Sequence, residues 1–219
     1  METTRIILVR HGETDWNASG RIQGHSDTPL NARGRIQAQR VAQRLAGEPI
    51  RALYSSDLAR AFETATIIGR TLGIPVAISP QLRERRYGAW EGLTPAEIEA
   101  RYPEQYAAWR TRSPDFAPPQ GETRLQLLSR ALTELQTIAH RHVGERVVVV
   151  THGGLCYVLI NHLLGDVDGD RREFTFGNAS LHTLEMMGNR WSVIAINETA
   201  HLQVAERCGQ STLLPRSTR

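Results

Sequence analysis

With 219 residues, 40% hydrophobic and 22% charged, the chain has the make-up of one globular domain with a sizeable core. It has no apolar run near the roughly 20 residues that a membrane-spanning helix needs, and Met1–Arg5 leads straight into a strand-like run rather than a signal peptide. The net charge is +3, lysine is absent, and the arginines are scattered rather than alternating with aromatics, so neither nucleic-acid nor membrane binding is expected.

In chain order, Arg5–Val9 reads as a short buried strand that runs directly into Arg10-His11-Gly12-Glu13. A helix is predicted from the capping residue Asn31 to Ala46, before Gly47. Ala52–Ser55 is a second strand, Asp57–Leu72 a helix closed by Gly73, and Val76–Ser79 a third strand. A short cap is expected at about 94–120, and its segment Ser113–Gly121, with three prolines, reads as a loop. From Glu122 to His142, Leu125, Leu128, Leu132, Leu135 and Ala139 recur at three- and four-residue spacing and predict the core face of a helix. Val147–Thr151, with four valines, predicts a strand buried on both faces, followed by a helix from Gly153 to Leu164. Leu181–Met186 and Trp191–Asn197 flank Gly188-Asn189 as a hairpin. A loose polar tail is expected from about residue 203. Alternating strands and helices predict a three-layer α/β/α sandwich with a mostly parallel central sheet, forming one domain over 1–219. Cys156 and Cys208 make no disulfide framework and read as reduced thiols of a cytoplasmic protein.

Sites in open α/β sheets lie beyond the carboxyl ends of the strands. Arg10-His11-Gly12 follows the first strand, Ser55-Ser56-Asp57 the second with Arg60 a turn later, and Thr151-His152-Gly153 the valine strand. If these strands are neighbours, two arginines and two histidines converge. Guanidinium groups bind phosphate oxygens through paired hydrogen bonds. Glycine lets backbone N–H groups approach an anion. A neutral imidazole can attack phosphorus, and neighbouring cations keep it neutral. Glu84, after the third strand, falls at the same end of the sheet. A carboxyl beside a bound phosphate dianion holds its proton more tightly, which suits a general acid.

Two other clusters carry no site. Asp166, Asp168 and Asp170 resemble the start of a calcium loop, but Arg171 occupies the position that needs glycine and Gly177 the position of the closing glutamate. His140 and His142, two apart on a helix, point in different directions.

The motifs LVRHGETDWN, GRIQGHSDTPLNARGRIQAQ, YSSDLARAFETA, LRERRYGAWEG and VVVVTHGG, in this order and spacing, resemble the histidine phosphatase superfamily, also called the phosphoglycerate mutase-like family. NETAHL, residues 197 to 202, resembles a closing motif of its phosphatase branch, so the likeness covers about residues 5 to 202. The resemblance implies His11 as nucleophile, Arg10 and Arg60 on the phosphate, and His152 on the phosphoryl oxygens. It implies Glu84 as the acid for the leaving group and then the base for water. It also implies Asn17, Gln23 and the Gly153 N–H as phosphate or substrate contacts, and neither metal nor organic cofactor for hydrolysis.

The alternative fate of the phosphohistidine is a mutase primed by 2,3-bisphosphoglycerate. Arg86 stands where the family's mutases usually carry histidine, and Trp90-Glu91-Gly92 and His152-Gly153-Gly154 resemble the phosphatase branch. The expected function is therefore hydrolysis of a small phosphorylated metabolite. A silent relative that only binds phospho-ligands or a protein partner is disfavoured by the complete set of five residues. Arg86, Tyr87, Trp90, Trp109 and Arg110 are expected to meet the substrate, with Arg112 a further candidate for a carboxylate. The oligomeric state is left open, a homodimer included.

Overall fold

The computed structural model describes residues 2–111, 113–165 and 175–203. Arg112, the Asp166–Asp170 run and the tail beyond Gln203, Cys208 included, lie outside the described residues.

Strands β1 (Thr3–Arg10), β2 (Ile50–Ser55), β3 (Val76–Ile78), β4 (Arg146–Thr151), β5 (Leu181–Met187) and β6 (Arg190–Glu198) form one sheet in the order β3-β2-β4-β1-β5-β6. The pairings among β3, β2, β4 and β1 are parallel, and the β5–β6 hairpin adds antiparallel to β1. The apolar runs of β1 and β4 divide between two layers, as a period of two requires. Ile6, Leu8, Val147 and Val149 pack in one core. Ile7, Val9, Val148 and Val150 pack in the other. Helices α2 (Ala32–Leu45) and α3 (Ala59–Leu72) cover the second face, while α6 (Arg124–Arg141) and α7 (Gly153–Leu163) cover the first. A one-turn helix α1 (Asp15–Ala18) follows β1, and the cap holds α4 (Pro95–Arg101) and α5 (Pro103–Arg110). This is the predicted α/β/α sandwich, with a mostly parallel sheet.

Local signals act as expected at the helix ends. Asn31 caps α2 by accepting the Gly34 N–H at 2.8 Å, and Gly73 closes α3 at φ 69°. The phase of α6 differs from the predicted one. Its buried residues are Leu127, Ala131, Leu135, Ile138 and Ala139, with Leu128 and Leu132 packed at the margin of the core. Leu125 is 48% exposed, because the buried stripe is centred on Leu127 and Leu125 falls outside it.

Candidate active site

Register brings the motifs together. In the β1–β4 ladder Arg10 stands opposite Thr151, so both strands leave the sheet at the same level. The next residues follow side by side, with the His11 N–H donating to the Thr151 carbonyl at 2.9 Å and the His11 and His152 rings 5.2 Å apart. On the other side of β4, Ser55 pairs with Val150 and the Ser56 N–H donates to the Val150 carbonyl at 3.0 Å. That places the Ser56 hydroxyl 2.9 Å from His152 Nε2. Thr151 Oγ1 donates to the Leu82 carbonyl at 2.8 Å, which draws in the loop bearing Glu84.

The turn after β1 is possible only with glycine at residue 12. A Cβ there would lie 2.4 Å from the Gly34 carbonyl oxygen in the first turn of α2. His11 Nδ1 is 2.7 Å from the Gly12 carbonyl oxygen. A carbonyl only accepts, so Nδ1 carries the proton and Nε2 of the neutral ring is bare. Burial, then Arg60, then Arg10 hold the His11 pKa well below the usual imidazole range. His152 is depressed in the same way, by burial first and then by Arg60.

The two guanidinium groups are held by carbonyls. Arg60, fully buried, donates to Gly24 O at 2.7 Å and Ser26 O at 3.0 Å, and its pKa falls to about 10, chiefly through burial. Arg10 donates to the Phe176 carbonyl. Three buried nitrogens beside His11 have no protein partner: Arg10 Nε, Arg60 Nε and His152 Nδ1. Buried donors left unpaired cost about 1–3 kcal/mol each, so their clustering points to an anion that they receive.

Asn17 and Gln23 border the same pocket of about 170 Å³, together with Arg10, His11, Arg60 and Glu84. Asn17 Oδ1 accepts from the Thr14 N–H at 3.2 Å and from Asn178 Nδ2 at 3.1 Å. Gln23 Oε1 accepts from Thr14 Oγ1 at 3.0 Å and from Thr28. In both, the amide oxygen is engaged and the NH2 group remains for a ligand. The Glu84 carboxylate accepts the Arg85 N–H and the Gly154 N–H, each at 2.8 Å. A Cβ at residue 154 would lie 2.4 Å from Glu84 Oε1, so glycine there makes room for the acid.

An outer recess of about 620 Å³ shares Arg10 with the inner pocket, and Tyr87 lines both. Burial, then Glu84, pushes the Tyr87 phenol up to about 12. Gly153, Trp109 and Arg110 line this recess. Gly153 lies beneath Arg10, and the N–H engaged in this turn is that of Gly154. Arg86 is not among the residues of either space. It is exposed and lines a separate cleft with His25 and Arg83, while its neighbour Arg85 is buried in the wall of the recess over the Tyr87 ring. Trp90 is also displaced from its expected place. It is fully buried and packs against Trp109 and Phe116 as the core of the cap.

Sequence reasoning named neither Arg85 nor Gly154 for these places, and gave no role to Ser56, Arg124, Tyr157 or Phe176. Ser56 stands inside the YSSD motif and could have been noticed. The last three reach the recess only through tertiary packing. Among the described residues, no group of three His, Cys, Asp or Glu could hold a metal ion. None of their helices is long and apolar enough to cross a membrane.

Comparison with known proteins agrees with this geometry. Residues 6–199 match the model of the histidine phosphatase superfamily, branch 1. Phosphoglycerate mutase-like protein 4 of Arabidopsis thaliana is 41% identical over 207 residues, which cover 93% of this chain and 89% of that protein. The metal-independent phosphoserine phosphatase of Arabidopsis thaliana is 40% identical over 205 residues, 92% of this chain and 84% of that one. The solved mycobacterial glucosyl-3-phosphoglycerate phosphatase complexed with VO3 superposes with a TM-score of 0.81 at 34% identity, over 89% of this chain and 99% of that one. A strand-end pocket of two arginines and two histidines, on this sheet and with these relatives, makes the chain a member of branch 1 of the histidine phosphatase superfamily.

Proposed function

We propose that the protein is a phosphomonoester hydrolase working through a phosphohistidine at His11. The observation that carries this reading is the set of three unpartnered buried nitrogens, Arg10 Nε, Arg60 Nε and His152 Nδ1, around a bare imidazole nitrogen. They receive the phosphoryl oxygens. Ser56 donates its hydroxyl proton to His152 Nε2, which leaves the ring proton on Nδ1 for a phosphoryl oxygen. His11 Nε2 attacks phosphorus, the bond to the leaving oxygen breaks, and Glu84 gives that oxygen its proton. Glu84 then takes a proton from water, whose oxygen attacks phosphorus. The P–N bond breaks, His11 returns neutral, and inorganic phosphate leaves. No metal or organic cofactor takes part, so EDTA leaves the rate unchanged, and a loss restored by added metal would contradict this.

The outer recess supports a leaving group of metabolite size with a second anionic group. Arg85, Arg110 and Arg124 line it beside Trp109 and Tyr157, and the Arg124 guanidinium sits 5.8 Å from the Tyr157 ring centre. Among the described residues, none of those lining it is a carboxylate. Relatives named as phosphatases of phosphoserine and of glucosyl-3-phosphoglycerate act on such acids, and hydrolysis is the reading they favour over mutase transfer. The protein is proposed to be cytoplasmic. Phosphorus NMR with 3-phosphoglycerate, with and without 2,3-bisphosphoglycerate, tests the proposal. Free phosphate without isomer supports the hydrolase. Formation of 2-phosphoglycerate only with the primer would make the protein a mutase instead.

A further inference from the structure

We infer that Arg130, on α6, is the positioning residue for Glu84, an inference that rests on the acid–base reading of Glu84 given above. Its guanidinium uses all five of its N–H donors. Nη1 donates to the carbonyls of Gln81 and Arg83, both at 2.7 Å. Nη2 donates to the Glu84 carbonyl at 2.8 Å and to Glu122 Oε1 at 2.6 Å, and Nε donates to Glu122 Oε2 at 3.2 Å. Glu122 Oε1 in turn accepts the Arg86 N–H at 3.0 Å. The Glu84 carbonyl accepts a second donor, His25 Nε2, at 2.8 Å.

The loop that carries the acid is therefore gripped on both sides of residue 84. Arg130 holds the carbonyls at 81, 83 and 84, and Glu122 holds the N–H at 86. The Gly154 and Arg85 N–H groups then aim the carboxylate itself. Arg130 is not among the residues lining the inner pocket and lies in the cleft with His25 and Arg86, although its charge also reaches His152 as the smallest of the influences on that ring. Its five hydrogen bonds act on the chemistry through the placement of Glu84, and the lysine variant, which keeps the charge, separates that placement from the charge felt at His152. A lysine keeps the charge and the aliphatic stem but offers three donors without the planar fork, so it cannot hold three carbonyls and Glu122 together.

The test is leaving-group dependence. A leaving phenoxide that is stable as an anion needs little help from an acid, whereas a more basic one needs a well-placed proton. kcat/KM is measured for p-nitrophenyl phosphate and phenyl phosphate with the wild type, Arg130→Lys, Arg130→Met, Glu122→Gln and Glu84→Gln. Both substrates are read on one sample, so any unfolded fraction cancels from the ratio. The preference for p-nitrophenyl phosphate is expected to rise about tenfold in Arg130→Lys and further in Arg130→Met, with Glu122→Gln smaller and Glu84→Gln largest. An unchanged ratio in both Arg130 variants, with a raised ratio in Glu84→Gln, would overturn the role of Arg130 alone. An unchanged ratio in Glu84→Gln would remove the acid reading and this inference with it.

Discussion

At the floor of the site His11, Arg60 and His152 are buried at strand or helix ends, and each is tied to a carbonyl or hydroxyl, His11 to that of Gly12 in its own turn, Arg60 to that of Gly24 and His152 to that of Ser56. In the cap, α5 has eight residues, none of them buried, and presents a half-buried Trp109 and an exposed Arg110 to the same substrate space. The floor is set by ladder register, so moving one group disturbs two strands. The cap is set by a few aromatic contacts around Trp90, and its outward side chains can change at little cost to the fold. One scaffold can thus keep a single phosphoryl chemistry and accept different leaving groups.

The contrast is broken most sharply by His11→Ala. Removing the nucleophile is expected to lower turnover of p-nitrophenyl phosphate about 10⁴-fold or more, while circular dichroism and cooperative unfolding persist. Wild-type turnover in this variant would remove the mechanism. Next comes Gly154→Ala, whose Cβ would meet Glu84 Oε1 at 2.4 Å. Displacing the acid by that much is expected to cost about 100-fold in kcat/KM for phenyl phosphate, and less for p-nitrophenyl phosphate. An equal loss on both substrates would show that the substitution does more than move Glu84.

The floor also predicts a pH dependence. His11 and His152 of the floor, and His182 on the adjoining strand β5, are held below the ordinary imidazole value by burial, His182 down to about 4. Below the unfolded value of about 6.5, the unfolded chain binds protons that the folded one refuses, so stability falls as pH drops toward 4. Each such histidine adds to the loss of stability as the pH falls through this window. Urea titrations between these limits should show a shallower slope in His11→Ala than in the wild type, and equal slopes would contradict the assignment. The smallest effect belongs to the cap. Arg110→Ala is expected to raise KM for 3-phosphoglycerate about fivefold and to leave phenyl phosphate unaffected. A change in kcat on phenyl phosphate would draw Arg110 into the chemistry of the floor.

The floor was legible in the sequence because each of its groups follows an apolar strand, and such strands pair side by side. That reasoning places Arg10, His11, Arg60, Glu84 and His152 at one sheet end, and the registers of β1 and β2 with β4, together with the Thr151–Leu82 hydrogen bond, account for their meeting. The cap was not legible in the same way. Arg85 and Arg86 are adjacent on an irregular loop, and only packing decides which one is buried over Tyr87. Trp90 reads as a substrate contact in the motif, yet burying so large a side chain gives the short cap its core. On α6, Leu125 fits the apolar spacing but lies outside the stripe centred on Leu127, and a leucine-rich repeat alone does not say which phase faces the sheet. Arg130 carries no signal in the sequence, because apart from Glu122 its partners are backbone carbonyls some fifty residues away.

The most direct test is to trap the intermediate. The protein is mixed with ³²P-labelled p-nitrophenyl phosphate, whose leaving group needs little help from an acid, quenched in alkali during turnover, and digested for mass-spectrometric mapping. Acid-labile, base-stable phosphate on His11, absent from His11→Ala and accumulating in Glu84→Gln, is the expected result. Steady hydrolysis by the wild type with no phosphate on His11 would contradict the account at its centre.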